Sequence, residues 1–202
     1  MNLTIRLEEE KDYQQVEYET REAFWDVYRP GCVEHWIVHQ IRKAPAFVKG
    51  LNYVACVDGS IVGNIMYSKA KVVDDKKQES EVLCMGPLSV LPAFQRKGIG
   101  SLLMNHSMQK ARELGFKAIV IFGNPHYYGR FGFINAEEYG IQTSSGENFE
   151  VFMVLELFAG ALKGITGKFY EDKVFEVQDE ELEAFEKEFP YKEKHSTDTQ
   201  LK

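Results

Sequence analysis

The sequence predicts a mixed α/β fold in which a mostly antiparallel sheet is combined with helices. Two β-rich runs, at 52–57 and 61–73, are joined by Asp58-Gly59, which is a strong hairpin signal. Residues 117–122 are apolar almost throughout and follow a helical stretch, as expected for a buried strand that pairs in parallel after a crossover. Antiparallel and parallel strands therefore share one predicted sheet.

The other elements follow from hydrophobic periodicity and from chain breakers. Apolar positions at spacings of three and four indicate helices, and alternating or continuous apolar runs indicate strands. Arg29-Pro30-Gly31 and Pro45 end the first two helices. The predicted order is a strand at 3–7, helices at 8–26 and 33–43, strands at 52–57, 61–73 and 81–90, a helix at 99–115, strands at 117–122 and 151–157, and an acidic helix at 179–189.

Size and composition are those of a soluble globular protein. With 202 residues, 44% of them hydrophobic and 27% charged, the chain can bury one good core and carry an appendage. The net charge of -7 argues against nucleic acid as a partner. There is no run of eighteen apolar residues, so no membrane span is expected.

The cysteines and the N-terminus indicate a cytoplasmic protein. Cys32, Cys56 and Cys84 are odd in number and widely separated, so we expect free buried thiols in a reducing compartment. The first residues include several acidic ones where a signal peptide would have an apolar core.

A glycine-containing loop, Gln95-x-x-Gly98-x-Gly100, connects a strand to a helix. Free N–H groups at a helix N-terminus bind phosphate groups well, and glycines let the main chain approach an anion closely. Arg96 and Lys97 add positive charge beside these groups. The loop is therefore interpreted as a pyrophosphate cradle.

Two better-known phosphate loops do not fit. No window supplies the glycine, lysine and hydroxyl spacing of a P-loop, and Leu103 stands where a dinucleotide fingerprint needs its third glycine. The loop instead resembles the Q/R-x-x-G-x-G/A motif of the GCN5-related N-acetyltransferases, the GNAT superfamily. Residues 86–90 are similar to the bulged fourth strand of that family, and 124–133 are similar to its Asn…Tyr-x-x-x-Gly-Phe segment.

The resemblance implies a fold and a function. The fold would be a twisted, mostly antiparallel sheet of six to seven strands with helices on both faces, in a domain over 1–158. Beyond 158 the resemblance thins. There the apolar side of the acidic helix predicts that 159–190 form a C-terminal extension docked on the domain, and the lack of periodicity predicts that 191–202 are a disordered tail. The function would be transfer of an acetyl group from acetyl-CoA, in one direct step, to a primary amine on a small molecule or a polypeptide.

The same resemblance implies which residues bind acetyl-CoA. The loop amides would hold the pyrophosphate, and a backbone N–H near the strand bulge, that of Val90, would stabilise the thioester oxygen in the transition state. The expected cofactor-binding residues are Leu88, Ser89, Val90, Gln95, Arg96, Lys97, Gly98, Ile99, Gly100, Ser101, Asn124 and Tyr127.

Tyr128 is expected to be the general acid, because it stands four residues before Gly132-Phe133, where the family has its tyrosine. A phenol can protonate a departing thiolate at neutral pH. One alternative is that Tyr127 is the general acid. Another is that both tyrosines have only a structural role and pack in the core. Asn124 precedes Tyr128 by four residues rather than the usual seven or so, so it is either a ligand of the pantetheine arm or the N-cap of a short helix.

No general base stands out in the sequence. Glu34 is the first candidate and His35 the second, because the segment between the first two strands usually forms one wall of the acceptor site in this family. His126, beside the tyrosines, is a third.

No metal is expected. Cys32, His35 and His39 have helical spacing, but no fourth ligand is evident, and GNAT enzymes use none.

Two other functions are left open. One is an acyl-CoA-binding sensor or interaction module that has lost catalysis, and the other is transfer of a longer acyl group. The expected partners are acetyl-CoA and an amine acceptor, with neither nucleic acid nor membrane. A homodimer is one option, since dimers are frequent in this family.

Overall fold

The structure is a computed structural model that describes residues 2–198 and residue 200. The described residues form nine strands and five α-helices. The strands are β1 (Leu3–Leu7), β2 (Tyr53–Val57), β3 (Ser60–Val73), β4 (Glu79–Val90), β5 (Ala118–Phe122), β6 (Ile134–Asn135), β7 (Ile141–Gln142), β8 (Phe152–Glu156) and β9 (Gly167–Tyr170). The helices are α1 (Tyr13–Phe24), α2 (Glu34–Ile41), α3 (Ile99–Glu113), α4 (Pro125–Tyr128) and α5 (Asp179–Glu186).

All nine strands belong to one sheet. Its main path has seven strands in the order β1-β2-β3-β4-β5-β8-β6, and β9 pairs with both β3 and β7 off that path. The β4–β5 and β7–β9 pairs are parallel, and the others are antiparallel. The predicted mixed and mostly antiparallel sheet is confirmed. The strands beyond the main path are short, and the sequence prediction assigned neither β6 nor β7.

Helices cover both faces of the sheet, as predicted. Strand alternation sends Ile65 to one face, where it joins Leu103 and Met104 of α3 in the largest core cluster. The next residue, Met66, lies on the other face, in a cluster with Val16 of α1 and Val38 of α2 among its members. The layer of α1 and α2 is thus separated from α3 by the sheet.

The sheet opens between β4 and β5. These strands pair in parallel only at Leu83–Ile119 and Cys84–Val120. Beyond Cys84, β4 keeps its pairing with β3, but the register shifts opposite Met66, so that β4 contains a bulge. The last residues of β4 therefore have no partner on the β5 side, and a cleft forms there.

The first two helices are shorter than predicted. The expected helix over 8–26 begins as a 3₁₀ turn at Glu10–Asp12, continues as α1, and ends where Trp25 takes a ψ of 122°. The expected helix over 33–43 is confined to α2. Among the described residues no helix is both long and apolar enough to cross a membrane. All three cysteines are free and buried.

The chain beyond residue 158 contacts both the sheet and α1. Strand β9 pairs with β3 through Lys71–Tyr170, Val72–Phe169 and Val73–Lys168. Further on, the Trp25 indole Nε1 donates a hydrogen bond to the Glu193 carbonyl over 2.9 Å, and His195 Nδ1 lies 3.0 Å from Asp26 Oδ2. The domain boundaries and the disorder of 191–202 stay predictions, and Thr199, Leu201 and Lys202 lie outside the described residues.

Candidate active site

The opening between β4 and β5 holds a cavity of about 570 Å³. Eleven of the residues predicted for the site line it: Leu88, Val90, Gln95, Arg96, Gly98, Ile99, Gly100, Ser101, Asn124, Tyr127 and Tyr128. Its wall is completed by Tyr28, Phe94 and Arg130. The predicted loop, the end of β4 and the tyrosine segment thus meet in one place.

The glycine loop gives the cavity a row of backbone donors. Gly98 precedes α3 with a left-handed φ of 83°, which glycine adopts without strain, and Arg96 has a φ of 59°. The first hydrogen bond within α3 is donated by the Leu102 N–H to the Gly98 carbonyl over 3.0 Å. The N–H groups of Ile99, Gly100 and Ser101 therefore have no acceptor within the helix and stand at its positive end.

The end of β4 presents a further N–H to the cleft. Gln95 Nε2 donates to the Val90 carbonyl over 3.0 Å, whereas the next residue, Leu91, donates its N–H back to β3, to the Val62 carbonyl, over 2.8 Å. Since the N–H and C=O of one strand residue point the same way and neighbours alternate, the Val90 N–H points away from β3. It is therefore directed to the open side of β4.

Two predicted cofactor-binding residues do not line the cavity. The Lys97 ammonium folds back to donate to the Ala93 carbonyl over 2.8 Å and lies 5.0 Å from the centre of the Phe94 ring. Ser89 is only 2% exposed, and its hydroxyl bonds to side chains of α1 and β3 on the other side of the strand. The sequence identified the loop and the strand, but not the direction of these two side chains.

The two tyrosines occupy different positions. Tyr127 reaches the start of α3, where its hydroxyl lies 2.8 Å from an ideal Cβ on Gly100, and Arg130 stacks on its ring at 4.0 Å. The Tyr128 ring packs against the main core cluster and lies 5.7 Å from the ring of Phe133. Burial raises the pKa of Tyr128, so its phenol stays protonated well above neutral pH.

Asn124 is the N-cap of α4. Its side-chain oxygen accepts a hydrogen bond from the His126 N–H over 2.9 Å, and Pro125 follows as the first helical residue. This is the N-cap reading that the short spacing to Tyr128 left open. Asn124 also lines the cavity, so its role as a ligand of the pantetheine arm stays a prediction.

None of the three candidate bases, Glu34, His35 and His126, lines the cavity. His35 is fully buried under the C-terminal segment, with Nε2 2.9 Å from Glu186 Oε2 and its ring stacked on Phe185 at 5.4 Å. The Glu34 carboxylate accepts a hydrogen bond from the Val33 N–H over 3.0 Å, and burial raises its pKa. Both lie where α2 meets other parts of the chain, which the sequence alone did not indicate.

Cys32, His35 and His39, which have helical spacing in the sequence, are not arranged as a metal site. Cys32 Sγ and His35 Nδ1 lie 3.3 Å apart, but His39 Nδ1 lies 2.9 Å from Glu17 Oε1 instead. Within the part of the chain that the structure describes, no group of three or more histidine, cysteine, aspartate or glutamate side chains is placed to hold a metal ion.

Sequence reasoning missed several residues of the site. Phe94 and Arg130 line the cavity. Phe94 directly precedes the glycine loop and Arg130 lies inside the 124–133 segment, so their position in the sequence was an available signal. Tyr28, from the loop after α1, also lines the cavity, and nothing in the sequence distinguished it from the other aromatic residues of that stretch.

Comparison with known proteins agrees with this geometry. The sequence model of the "Acetyltransferase (GNAT) family" matches residues 10–133, which include α1, α2, the glycine loop and both tyrosines. The chain belongs to the GNAT acetyltransferase family. This GNAT protein is 30% identical over 132 residues to the "Uncharacterized N-acetyltransferase YhbS" of Escherichia coli, a match that covers 65% of this chain and 76% of YhbS.

Solved structures of GNAT proteins share the fold. YhbS from Escherichia coli in complex with CoA superposes with a TM-score of 0.78 at 25% identity, covering 88% of this chain and 93% of that one. A GNAT family acetyltransferase from Brucella melitensis in complex with acetyl-CoA has a TM-score of 0.68 at 28% identity, covering 86% and 98%. The GNAT protein described here is accordingly an N-acetyltransferase.

Proposed function

We propose that this GNAT protein transfers the acetyl group of acetyl-CoA directly to a primary amine on a small molecule or a polypeptide. The observation that carries the proposal is the convergence of the Ile99–Ser101 amides, the Val90 N–H and two tyrosines on one cavity. Two structural relatives that bind CoA or acetyl-CoA support the identity of the donor.

The pyrophosphate of acetyl-CoA binds at the start of α3. Three free N–H groups and the positive end of the helix dipole stabilise its negative charge there, and Arg96, which lines the cavity, adds a full positive charge. The Lys97 ammonium donates to the Ala93 carbonyl instead, so it contributes only to the positive electrostatic potential around the pyrophosphate.

The thioester lies in the cleft beside β4. When the amine attacks, the carbonyl oxygen gains negative charge and accepts a hydrogen bond from the Val90 N–H. The bond between carbon and sulfur then breaks, and Tyr128 donates its proton to the departing thiolate. The nitrogen loses one proton to solvent and the Tyr128 phenolate regains one from it, so that the products are the acetylated amine and CoA. Tyr127, which stands over Gly100, contacts the cofactor on the side of the pyrophosphate loop.

The nature of the acceptor rests on the family alone. The alternative that this chain is a sensor without catalysis finds no support in the comparisons, and transfer of a longer acyl group is a variant of the same reaction. A homodimer and a cytoplasmic location stay predictions.

Calorimetric titration with acetyl-CoA and with CoA tests the donor site. We expect micromolar binding by the wild type and by Gly50→Trp, and none by Gly100→Trp. A side chain at Gly100 collides with the Tyr127 hydroxyl at 2.8 Å, whereas the exposed Gly50 has only an ordinary contact of 3.7 Å with Leu114. Absence of binding by the wild type contradicts the proposal.

A screen of primary amines then tests the reaction. Alkylamines, diamines, amino sugars and peptides with free N-termini are incubated with acetyl-CoA, and both CoA release and the acetylated product are measured. Binding of acetyl-CoA without acetylation of any amine would favour the sensor.

A further inference from the structure

The loop between α1 and α2 brings one side chain to the cavity. Of the described residues that line the cavity, only Tyr28 comes from the part of the chain before β4. Tyr28 is 52% exposed, and its ring lies 6.1 Å from the ring of Phe24. The pKa of Tyr128 is raised by burial, by Tyr127 and also by Tyr28, so Tyr28 lies near the proposed general acid.

Tyr28 stands on the side of the cleft from which an amine can reach the thioester. In the proposed reaction the start of α3 binds the pyrophosphate, and α3 packs on one face of the sheet. The layer of α1 and α2 packs on the other face. Because acetyl-CoA occupies the α3 side of the cleft, the amine has to approach from the other side, where the loop between α1 and α2 carries Tyr28.

The loop that carries Tyr28 is closed by two hydrogen bonds between its ends. The Asp26 N–H donates to the Gly31 carbonyl over 2.9 Å, and the Gly31 N–H donates to Asp26 Oδ1 over 2.7 Å. Asp26 has a left-handed φ of 60°, a conformation that aspartate tolerates better than most residues. Tyr28 lies between these two ends, so its position depends on Asp26.

The C-terminal segment contacts the same loop. The His195 N–H donates to Asp26 Oδ1 over 3.0 Å, and Gln200 Nε2 donates to the Asp26 carbonyl over 3.1 Å. His195 Nδ1 lies 3.0 Å from Asp26 Oδ2. One residue earlier, Trp25 Nε1 donates to the Glu193 carbonyl. Asp26 thus joins the loop to a part of the chain that is 169 residues further on.

We propose that the C-terminal segment positions Tyr28 through Asp26, and that Tyr28 determines which amines this GNAT protein acetylates. The inference rests on the proposed acetyl transfer and names the residue that contacts the substituent of the acceptor. An aromatic ring packs against apolar groups and attracts cations, so Tyr28 discriminates between amines by the group that carries the nitrogen. Asp26 is a positioning residue, because it holds the loop and does not line the cavity.

Holding the loop in advance favours binding of the acceptor. A loop that becomes ordered only when a ligand binds adds an entropy cost to that binding, and a loop fixed beforehand avoids it. The contacts of Asp26 with the C-terminal segment fix this loop in the free protein. Their loss should therefore weaken binding of the amine, while the chemical step and the acetyl-CoA site on the α3 side are unchanged.

Kinetics of Tyr28→Ala test the contact, with the amine that the screen identifies. We expect KM for that amine to rise about 10-fold, as is common when an aromatic side chain is lost from a binding contact, and the order of preference among the screened amines to change. Tyr28→Phe keeps the ring and should retain both properties. Tyr18→Ala is the matched control, because Tyr18 is similarly exposed, at 47%, and does not line the cavity. Calorimetry should show wild-type affinity for acetyl-CoA in all three variants.

Asp26→Gly tests the positioning role. Glycine adopts a left-handed φ without strain, so the main loss is the carboxylate with its bonds to Gly31 and His195. We expect KM for the amine to rise as in Tyr28→Ala, with kcat little changed. A purely structural defect would instead lower the active fraction, and thus the apparent kcat, without raising KM. Asp26→Asn keeps an acceptor for both N–H groups and should restore KM.

Trp25→Phe provides a second variant if Asp26→Gly does not fold. It keeps an aromatic ring at this position but lacks the donor to the Glu193 carbonyl. We expect KM for the amine to rise in this variant too, and acetyl-CoA affinity to stay as in the wild type. Wild-type KM in both Asp26→Gly and Trp25→Phe would show that the C-terminal segment does not position the loop, which overturns the inference.

The outcomes for Tyr28→Ala separate the inference from the proposed function. An unchanged KM for the amine and an unchanged order of preference overturn the inference and leave the acetyl transfer intact. Weaker binding of acetyl-CoA with an unchanged KM for the amine would place Tyr28 in the donor site and also overturn it. If the wild type acetylates no amine, the proposed function fails, and the inference fails with it.

Discussion

The ring of Tyr128 occupies the space that a side chain on Gly123 would take. An ideal Cβ on Gly123 would lie 2.4 Å from Tyr128 Cε2 and 2.5 Å from Cδ2, well inside van der Waals contact. Gly123 does not have a positive φ, so the backbone itself does not demand glycine here. Glycine is needed because the Tyr128 ring fills this space. The end of β5 therefore determines where the ring of the proposed general acid lies.

Gly123→Ala should therefore displace Tyr128. We expect a loss of about 1–3 kcal/mol in the free energy of unfolding, as for other overpacked sites, together with a lower kcat. Urea denaturation and acetyl-transfer assays measure the two effects. Gly129→Ala is the control, because nothing lies within 4 Å of its Cβ position. Equal activity of Gly123→Ala and Gly129→Ala would show that the position of the Tyr128 ring does not matter.

Tyr128→Phe and Tyr127→Phe should separate the roles of the two tyrosines. Loss of the Tyr128 hydroxyl should lower kcat about 10²-fold with little change in acetyl-CoA affinity, because it removes a proton donor. Loss of the Tyr127 hydroxyl, which stands over Gly100, should weaken acetyl-CoA binding more than it lowers kcat. Calorimetry and steady-state kinetics measure both quantities. The reverse pattern would assign the general acid to Tyr127.

The parts of the site that the sequence predicted are local. The loop at 95–101 and the segment at 124–133 are continuous in the chain, and residue type and spacing there determine where backbone N–H groups and tyrosines stand. The order of strands and helices was equally local, because each element has its own periodicity.

The parts that the sequence did not predict depend on contacts between distant segments. His35 is buried because Glu186, about 150 residues further on, packs against it, and α2 alone gave no sign of that contact. Glu19 becomes a buried carboxyl only when α1 lies on β3 and β4, beside Asn64 and Ser89. Helical periodicity shows which face is apolar, but one glutamate turned inward does not alter that pattern.

Arg21 and Glu186 should anchor the C-terminal segment to α1. The Arg21 side chain is 2% exposed and donates through Nε to Glu186 Oε1 over 2.8 Å. Glu186→Ala leaves that buried cation with only the more distant carboxylate of Glu22, 3.6 Å away, and we expect a loss of about 3 kcal/mol in the free energy of unfolding. Urea denaturation measures it.

A second pair on α5 provides the control for that measurement. Asp179 lies 3.3 Å from Arg29, and both side chains are at least half exposed. Asp179→Ala should therefore cost no more than about 1 kcal/mol. A loss in Glu186→Ala as small as in Asp179→Ala would mean that the buried pair does not hold the segment in place.

The raised pKa of Glu19 should make stability depend on pH in a definite direction. Burial gives the carboxyl a pKa of about 7 in the folded protein, against an ordinary value of 4.5, so the folded state binds the proton more tightly. Stability from this group is fully present below pH 4.5 and is lost as pH rises toward 7, because the unfolded state then binds fewer protons. The loss amounts to about 3 kcal/mol for a shift of this size.

Glu19→Gln removes this titration. The difference in unfolding free energy between the variant and the wild type should therefore shift in favour of the variant by about 3 kcal/mol between pH 5 and 8, as measured by urea denaturation across that range. Glu113→Gln should show a smaller change of opposite sign at low pH, since Lys110 and Gln109 lower the pKa of that exposed carboxyl. A flat difference for Glu19→Gln would mean that burial does not raise the pKa of its carboxyl in the folded protein.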